Sequence, residues 1–283
     1  MAITGLAGHS PQTRTVDGLA IRCVDTGERS GPTLLMTSPW PETLFAFRRI
    51  WEQLAPVARL VAVDLPGFGH SEGRTELFTP SAMAEFLRKL IGGWGLDAPH
   101  LLAPDVGTGA ALLLAGRHPG SVASVIVGSG GVAYPLEVSG VLADMIAAPT
   151  TDFLRDFDSR TTVGAAVESV APRAQEPEVW EDYVSAYENG RFAQSALYVR
   201  SYPTELPVLA ELLPSITTPV QVMTAEHDEL VPPSNGTYLH RRLPNSRLAS
   251  FDSGHFPWEQ SADEYGAVIA GWITGEYARV ASV

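Results

Sequence analysis

His100-Leu101-Leu102-Ala103-Pro104-Asp105-Val106-Gly107-Thr108-Gly109 is the stretch on which the reading of this chain turns. Its apolar start has the character of a buried strand. From Gly107 an Ala/Leu-rich run reads as a buried helix, which Pro119-Gly120 closes after His118. The tight turn between them puts one functional side chain, Asp105, between the small residues Ala103 and Gly107. Small flanks are needed because strand and helix backbones approach closely there, and the strained turn lifts its central side chain above the sheet. A serine in that place attacks acyl carbon. A carboxylate attacks saturated carbon and leaves an alkyl ester, which water must then hydrolyse.

Outward from this turn, strand and helix patterns alternate. Asp17-Gly18 separates residues 13–16 from 19–24 and is a two-residue hairpin signal. Short apolar runs at 33–37 and 60–63, bounded by Pro, Gly and Asp, predict buried parallel strands. Leu44, Phe47, Trp51 and Leu54 give residues 42–54 helical spacing, and 81–94 is an amphipathic helix with Pro80 and Ser81 at its start. Further strands are expected at 122–127, 220–224 and 247–251, and helices at 233–243 and 262–277. This order implies an α/β fold with a mostly parallel sheet flanked by helices. The alternation breaks over 130–214, which holds helical patterns at 138–146, 178–187 and 191–202 and no convincing strand.

The chain has 283 residues, 45% of them hydrophobic, enough for one α/β domain with a sizeable insertion. No run of about 18 apolar residues predicts a membrane span, and residues 1–9 lack the pattern of a secretory signal. Cys23 is the single cysteine, which excludes a disulfide framework or a cysteine zinc site and fits a cytoplasmic location. It lies in an apolar strand-like run and reads as a packing residue. The net charge of −13 argues against nucleic acid or an anionic membrane as partner. Scattered histidines and the lack of a glycine-rich phosphate loop imply no metal and no organic cofactor. The expected partner is a small apolar molecule. The oligomeric state is not legible in the sequence.

Four further segments join the Asp105 turn: Ser38-Pro39-Trp40-Pro41-Glu42-Thr43, Asp64-Leu65-Pro66-Gly67-Phe68-Gly69-His70-Ser71, Ala225-Glu226-His227-Asp228-Glu229-Leu230-Val231-Pro232 and Asp252-Ser253-Gly254-His255-Phe256-Pro257-Trp258-Glu259. Together, in this order and across nearly the whole chain, they resemble the α/β-hydrolase superfamily. The closer likeness is to its aspartate-nucleophile branch of epoxide hydrolases and haloalkane dehalogenases. The resemblance implies a core of residues 1–129 and 215–283 and a helical cap at 130–214 that closes over the turn. It also implies a catalytic set of Asp105, His255 as the base that activates water, and Asp228 as the acid that orients His255. Some relatives carry this acid after the sixth strand. Here Val127-Gly128-Ser129-Gly130-Gly131 offers no carboxylate there, and Glu226 reads as a solvated loop residue.

By the same resemblance, the backbone N–H groups of Trp40 and Val106 form an oxyanion hole, and Pro41 is a candidate cis-proline. Ser38-Pro39 departs from the His-Gly of the family loop, and the 64–71 segment reads as a structural loop near the pocket. His70, His100, His118 and His240 read as structural or solvated. Epoxide opening needs an acid for the leaving oxygen, which relatives supply from cap tyrosines. Val199 occupies the place of the family's tyrosine, so Tyr198 or Tyr202 is the candidate, with Tyr134, Tyr183 and Tyr187 behind them. Dehalogenation needs halide donors instead. Val106 replaces the tryptophan that relatives place after the nucleophile, leaving the Trp40 indole. Val106 also stands where fluoroacetate-type relatives carry an arginine. The expectation is an epoxide hydrolase-like enzyme. Dehalogenation, a non-hydrolytic acid–base enzyme (a lyase or cyclase) and a non-catalytic binding protein remain as alternatives.

Overall fold

The computed structural model describes residues 6–28, 30–150, 152–155 and 158–280. Its strands are β1 (Gln12–Val16), β2 (Leu19–Asp25), β3 (Thr33–Thr37), β4 (Arg59–Val63), β5 (His100–Leu102), β6 (Ser124–Gly128), β7 (Val220–Ala225) and β8 (Ser246–Phe251). They form one eight-stranded sheet in the order β1-β2-β4-β3-β5-β6-β7-β8. β2 runs antiparallel to both β1 and β4, and every other pairing is parallel. The antiparallel corner follows from Asp17 and Gly18, both left-handed at φ 51° and 80°, which a two-residue hairpin loop requires.

The helices are α1 (Arg48–Leu54), α2 (Pro80–Gly93), α3 (Gly107–Arg117), α4 (Gly140–Ala147), α5 (Asp152–Arg155), α6 (Ser159–Val167), α7 (Pro177–Ser185), α8 (Arg191–Arg200), α9 (Tyr202–Leu212), α10 (Ser234–Arg242), α11 (Pro257–Gln260) and α12 (Ala262–Ile273). Side chains alternate across the central strands. Leu35, Val61, Val63, Leu101, Val125 and Val127 pack into one apolar cluster with α2 and α3. Leu34, Met36, Leu60, Ala62, Leu102 and Ile126 pack into the other, with α1 and α12. Both faces are therefore covered, and the strands read as continuous apolar runs for that reason. Cys23 is fully buried.

The expected helix over 42–54 begins later. A 3-10 turn at Leu44–Phe47, capped by the Thr43 hydroxyl on the Phe45 N–H, precedes α1. Residues 40–43 are instead held in an irregular loop by contacts described below. The last helix ends at Ile273 rather than 277, with a short 3-10 turn following.

Helices α4 to α9 lie between β6 and β7. The sequence reading lacks α5 and α6 and does not separate α8 from α9. α6 has a weak apolar pattern because its Gly164 sits under the Trp180 ring; a Cβ there would come within 2.7 Å of Trp180 Cζ2. The helical pattern at 191–202 is two helices separated at Ser201. α9 continues through Pro203 in its first turn and Pro207 inside it. A proline in the first turn costs nothing, because the N–H it lacks would have no partner in the helix. Among the described residues, no helix is long and apolar enough to cross a membrane.

Candidate active site

β5 ends one residue short of a turn in which Asp105 takes φ 51°, with its N–H on the Gly128 carbonyl of β6 at 2.8 Å. The left-handed Asp105 turn brings the start of α3 close against the strands. A Cβ at Gly107 would lie 2.6 Å from Thr37 Oγ1 and 3.0 Å from Ala103 Cβ, so α3 can approach β3 and β5 only with glycine. The Asp105 side chain is lifted to the C-terminal edge of the sheet, at the positive end of α3. Its Oδ2 accepts the Trp40 N–H at 2.6 Å, and the Val106 N–H follows directly in the chain. Its Oδ1 faces His255 Nε2 at 3.7 Å, too far for a hydrogen bond. The two carboxylate oxygens are thus inequivalent: one is held by the Trp40 amide, and the other is turned toward the imidazole. Burial pushes the Asp105 carboxyl above the ordinary range, against the opposing pull of His255 and the two amides.

His255 stands on the loop between β8 and α11. Its Nδ1 is 2.8 Å from Asp228 Oδ2. Asp228 follows β7, and its other oxygen accepts the N–H groups of Leu230 at 3.0 Å and Val231 at 2.8 Å. That leaves one oxygen free to fix the imidazole with Nε2 toward Asp105. Burial pulls the His255 pKa down. The hydrogen bond to Asp228 and the charges of Asp228 and Asp105 outweigh it and leave the pKa raised. Glu226 is exposed, apart from this group.

The Trp40 loop is held from both sides despite Ser38-Pro39. Ser38 donates its N–H to Val63 O at 2.9 Å, and the Trp40-Pro41 peptide is cis. The Trp40 indole N–H donates to Ser195 Oγ at 2.9 Å, and its ring stacks on Phe192 with centroids 5.2 Å apart. The loop's Asp64 neighbour is structural: its fully buried carboxylate accepts the Leu44 N–H at 2.7 Å and the His70 N–H at 2.9 Å.

A cavity of about 160 Å³ opens on Asp105 and His255. Trp40, Phe256 and Leu230 line it from the sheet side, and Met145, Val163, Phe192 and Val199 from the inserted helices. Among the described residues, Asp105 and His255 are the only ionisable groups in its wall apart from the phenol of Tyr202. Of the two tyrosine candidates, the structure brings only Tyr202 to the cavity. Its pKa is raised well above the usual phenol range by burial and by the charge of Asp105. Tyr198 packs one layer behind, edge-on to Phe68 and Tyr202, with its hydroxyl buried and unpartnered; it is not in the cavity wall. Tyr183 and Tyr187 bond Glu259 and the Glu42 carbonyl, and Tyr134 is exposed. His100, His118 and His240 are paired with Ser124, Glu85 and Ser246, and His70 with Asp182, all outside the site.

Sequence reasoning did not single out Ser195 and Phe192, which fix the Trp40 ring, nor Glu42 as anything but part of a loop match. Only the helical spacing of Phe192 and Ser195 was visible, and it does not say which partner they meet.

A profile described as alpha/beta hydrolase fold matches residues 32–262. The chain is 27% identical over 263 residues to the magnesium-chelatase 30 kDa subunit of Rhodobacter capsulatus, covering 89% of this chain and 90% of that protein. It is 25% identical over 278 residues to a haloalkane dehalogenase of Bradyrhizobium diazoefficiens, covering 89% and 90%. The solved structure of an epoxide hydrolase from Vigna radiata superposes with a TM-score of 0.76 at 17% identity, over 95% of this chain and 99% of that one. The profile runs from the strand before the Trp40 loop to beyond His255, and on that ground this chain belongs to the alpha/beta hydrolase fold family.

Proposed function

We propose that this chain is a hydrolase that opens an epoxide on a compact, neutral molecule through an alkyl ester on Asp105. The observation that carries the reading is the inequivalence of the Asp105 oxygens, with Oδ2 on the Trp40 amide and Oδ1 free beside His255. In the first step Oδ1 attacks a ring carbon and the C–O bond to the epoxide oxygen breaks. The Tyr202 phenol gives its proton to the departing alkoxide. A phenol whose pKa is raised by burial stays protonated until an alkoxide forms. In the second step His255 Nε2 takes a proton from water as it adds to the ester carbon. Negative charge collects on Oδ2, where the Trp40 amide already points. Collapse releases a vicinal diol and restores the carboxylate, and the proton on His255 returns to the Tyr202 phenolate.

Ester formation removes the Asp105 charge, one of the causes that raise the His255 pKa. The imidazole therefore loses its proton more easily at the stage where it acts as base. The inserted helices, in this reading, cap the site and exclude bulk water. A cavity near 160 Å³ suits a molecule on the scale of benzene. Among the described residues, its wall offers no cation for a substrate carboxylate. Halide release is less well served, because the one indole facing the cavity is committed to Ser195.

The test is intact-protein mass after exposing His255→Gln to panels of small epoxides and alkyl halides. A mass gain equal to a whole epoxide, absent from Asp105→Ala, is expected. A gain equal to an alkyl halide less hydrogen halide, or no adduct with an inert wild type, overturns the proposal.

A further inference from the structure

Beneath the reacting pair lies a buried polar cluster that the proposed steps do not use. Glu42, two residues after Trp40, is fully buried, and its Oε2 accepts the Trp258 indole N–H at 2.8 Å. Glu259, the next residue, has no exposed side-chain surface. Its Oε1 accepts from Arg48 and, at 3.1 Å, from the Tyr183 hydroxyl. Its Oε2 is 3.2 Å from Arg49 Nε, in poor alignment for a hydrogen bond. Glu42 Oε1 and Glu259 Oε2 are the two carboxyl oxygens in this cluster that receive no donor, and the two side chains meet around the Trp258 indole, Glu42 bonded to it and Glu259 next to it in the chain. Two bare carboxylate oxygens in such a place would repel at close range in low dielectric. One proton between them turns the repulsion into a hydrogen bond.

The charge count says which side chain holds it. Arg48 and Arg49 are shared between Glu259 and Glu176. Two guanidinium groups and two carboxylates balance only with Glu42 neutral. Glu259 also has the direct guanidinium contact that favours its ionised form, whereas Glu42 has the indole alone. We propose that Glu42 is a positioning residue that stands as a neutral carboxylic acid, donates its proton to Glu259, and so holds the Trp40 amide and the His255 loop in register. The geometry supports that role directly. Trp40, whose amide holds Asp105, and Trp258, whose ring centroid is 6.4 Å from that of His255, are both tied to this one side chain or its immediate neighbours. The Glu42 carbonyl also accepts the Tyr187 hydroxyl at 2.9 Å, which joins the inserted helices to the same point.

The groups facing Glu42 are Glu259 and Trp258 from α11, Arg48 from α1 and Tyr183 from α7, with Arg49 and Glu176 behind them. Burial first, and the Glu259 charge second, push its carboxyl well above the usual range. An acid that is protonated when folded and ionised when unfolded lowers stability as pH rises above its unfolded value, because the native state then binds the extra proton.

The role assigned to Glu42 rests on the reading of Asp105 and His255 as the reacting pair, but two readouts need no turnover. Infrared spectra at neutral pH should contain a neutral carboxylic-acid carbonyl band that is missing from Glu42→Gln. Thermal melts should show Glu42→Gln gaining on wild type steadily as pH rises from about 4.5. On a substrate that wild type turns over, Glu42→Leu should lose kcat at least tenfold with KM little changed, and Glu42→Gln should restore most of it. A band that persists in Glu42→Gln, or a melting difference that does not change with pH, overturns the proton assignment. Equal kcat for the Leu and Gln variants overturns the positioning role. A wild type inert toward every epoxide, with the infrared band intact, counts against the proposed reaction and not against the acid pair.

Discussion

At the residue scale, the decisive substitution is a carboxylate where a turn of this kind commonly carries a hydroxyl. A carboxylate brings two oxygens, and the fold gives them different surroundings, which in the proposed reaction makes one the attacking atom and the other the oxyanion. In the proposed reaction, Tyr202→Phe should lower kcat/KM for epoxides by roughly 10²–10⁴-fold, the usual worth of a positioned acid. Tyr198→Phe, with its hydroxyl sealed away from the cavity, should change it by less than about threefold; steady-state kinetics on the two variants separates them. Asp228→Asn has a signed pH consequence. The Asp228 hydrogen bond and charge help raise the His255 pKa, so their loss lets burial pull it down. The acid limb of the pH–rate profile, where neutral His255 is titrated away, should move to lower pH. The plateau rate should fall by about 10²–10⁴-fold as the imidazole loses its orientation. An acid limb that stays in place would show that Asp228 does not set the charge state of the base.

At the element scale, the strand–turn–helix unit around Asp105 is the part least tolerant of change. Gly107→Ala puts a methyl group 2.6 Å from Thr37 Oγ1 and 3.0 Å from Ala103 Cβ. Relief requires α3 to move off the sheet, at a cost of about 1–3 kcal/mol in chemical denaturation. The same shift carries the Val106 amide away from Asp105, so activity should fall more than stability suggests. The start of α2 is more forgiving. Thr79 caps it, accepting the Ala82 N–H at 3.1 Å, and Thr79→Ala should cost about 1 kcal/mol with kinetics unchanged. The prolines mark where local pattern misleads. The helical pattern read from the sequence stops at 202, yet α9 runs on through Pro203 and Pro207. Packing of Leu206 and Leu209 against the core outweighs a missing backbone hydrogen bond.

At the scale of the whole molecule, the inserted helices are tied to the sheet by a second polar set distinct from the Glu42 cluster. Asp182 of α7 bonds Arg22 of β2 at 2.6 Å and 3.0 Å, and its Oδ2 accepts the Thr43 hydroxyl at 2.6 Å. His70 meets the same residue at its carbonyl and carboxylate. Arg191 reaches the Gly69 and Ser71 carbonyls at 2.7 Å and 2.9 Å. Burial acts to raise the Asp182 carboxyl, but His70 and Arg22 outweigh it and hold it at about 2. A depressed carboxyl contributes stability that is present above its unfolded value of 3.8 and is lost as pH falls toward about 2. Asp182→Asn should therefore cost about 2 kcal/mol at neutral pH, and the difference from wild type should vanish in melts near pH 2. A difference that is constant over that range would mean the ion pairs contribute nothing that titrates.

The sequence by itself determined the class of fold, because both of its signals are local. The apolar runs of the central strands and the small residues around Asp105 need only near neighbours to be read, as does the Asp17-Gly18 hairpin. The order of Asp105, Asp228 and His255 was legible for the same reason: each follows a strand and sits in a short, distinctive loop. Tertiary structure alone decided what each side chain meets. Tyr198 and Tyr202 are four residues apart on similar helical patterns, and only the packing of α8 against α9 turns one to the cavity and the other to Phe68. Glu42 and Glu259 are separated by more than two hundred positions, and nothing along the chain announces that they share a buried site. Charge balance, burial and hydrogen-bond completeness are properties of the assembled interior, where water no longer supplies the missing partner.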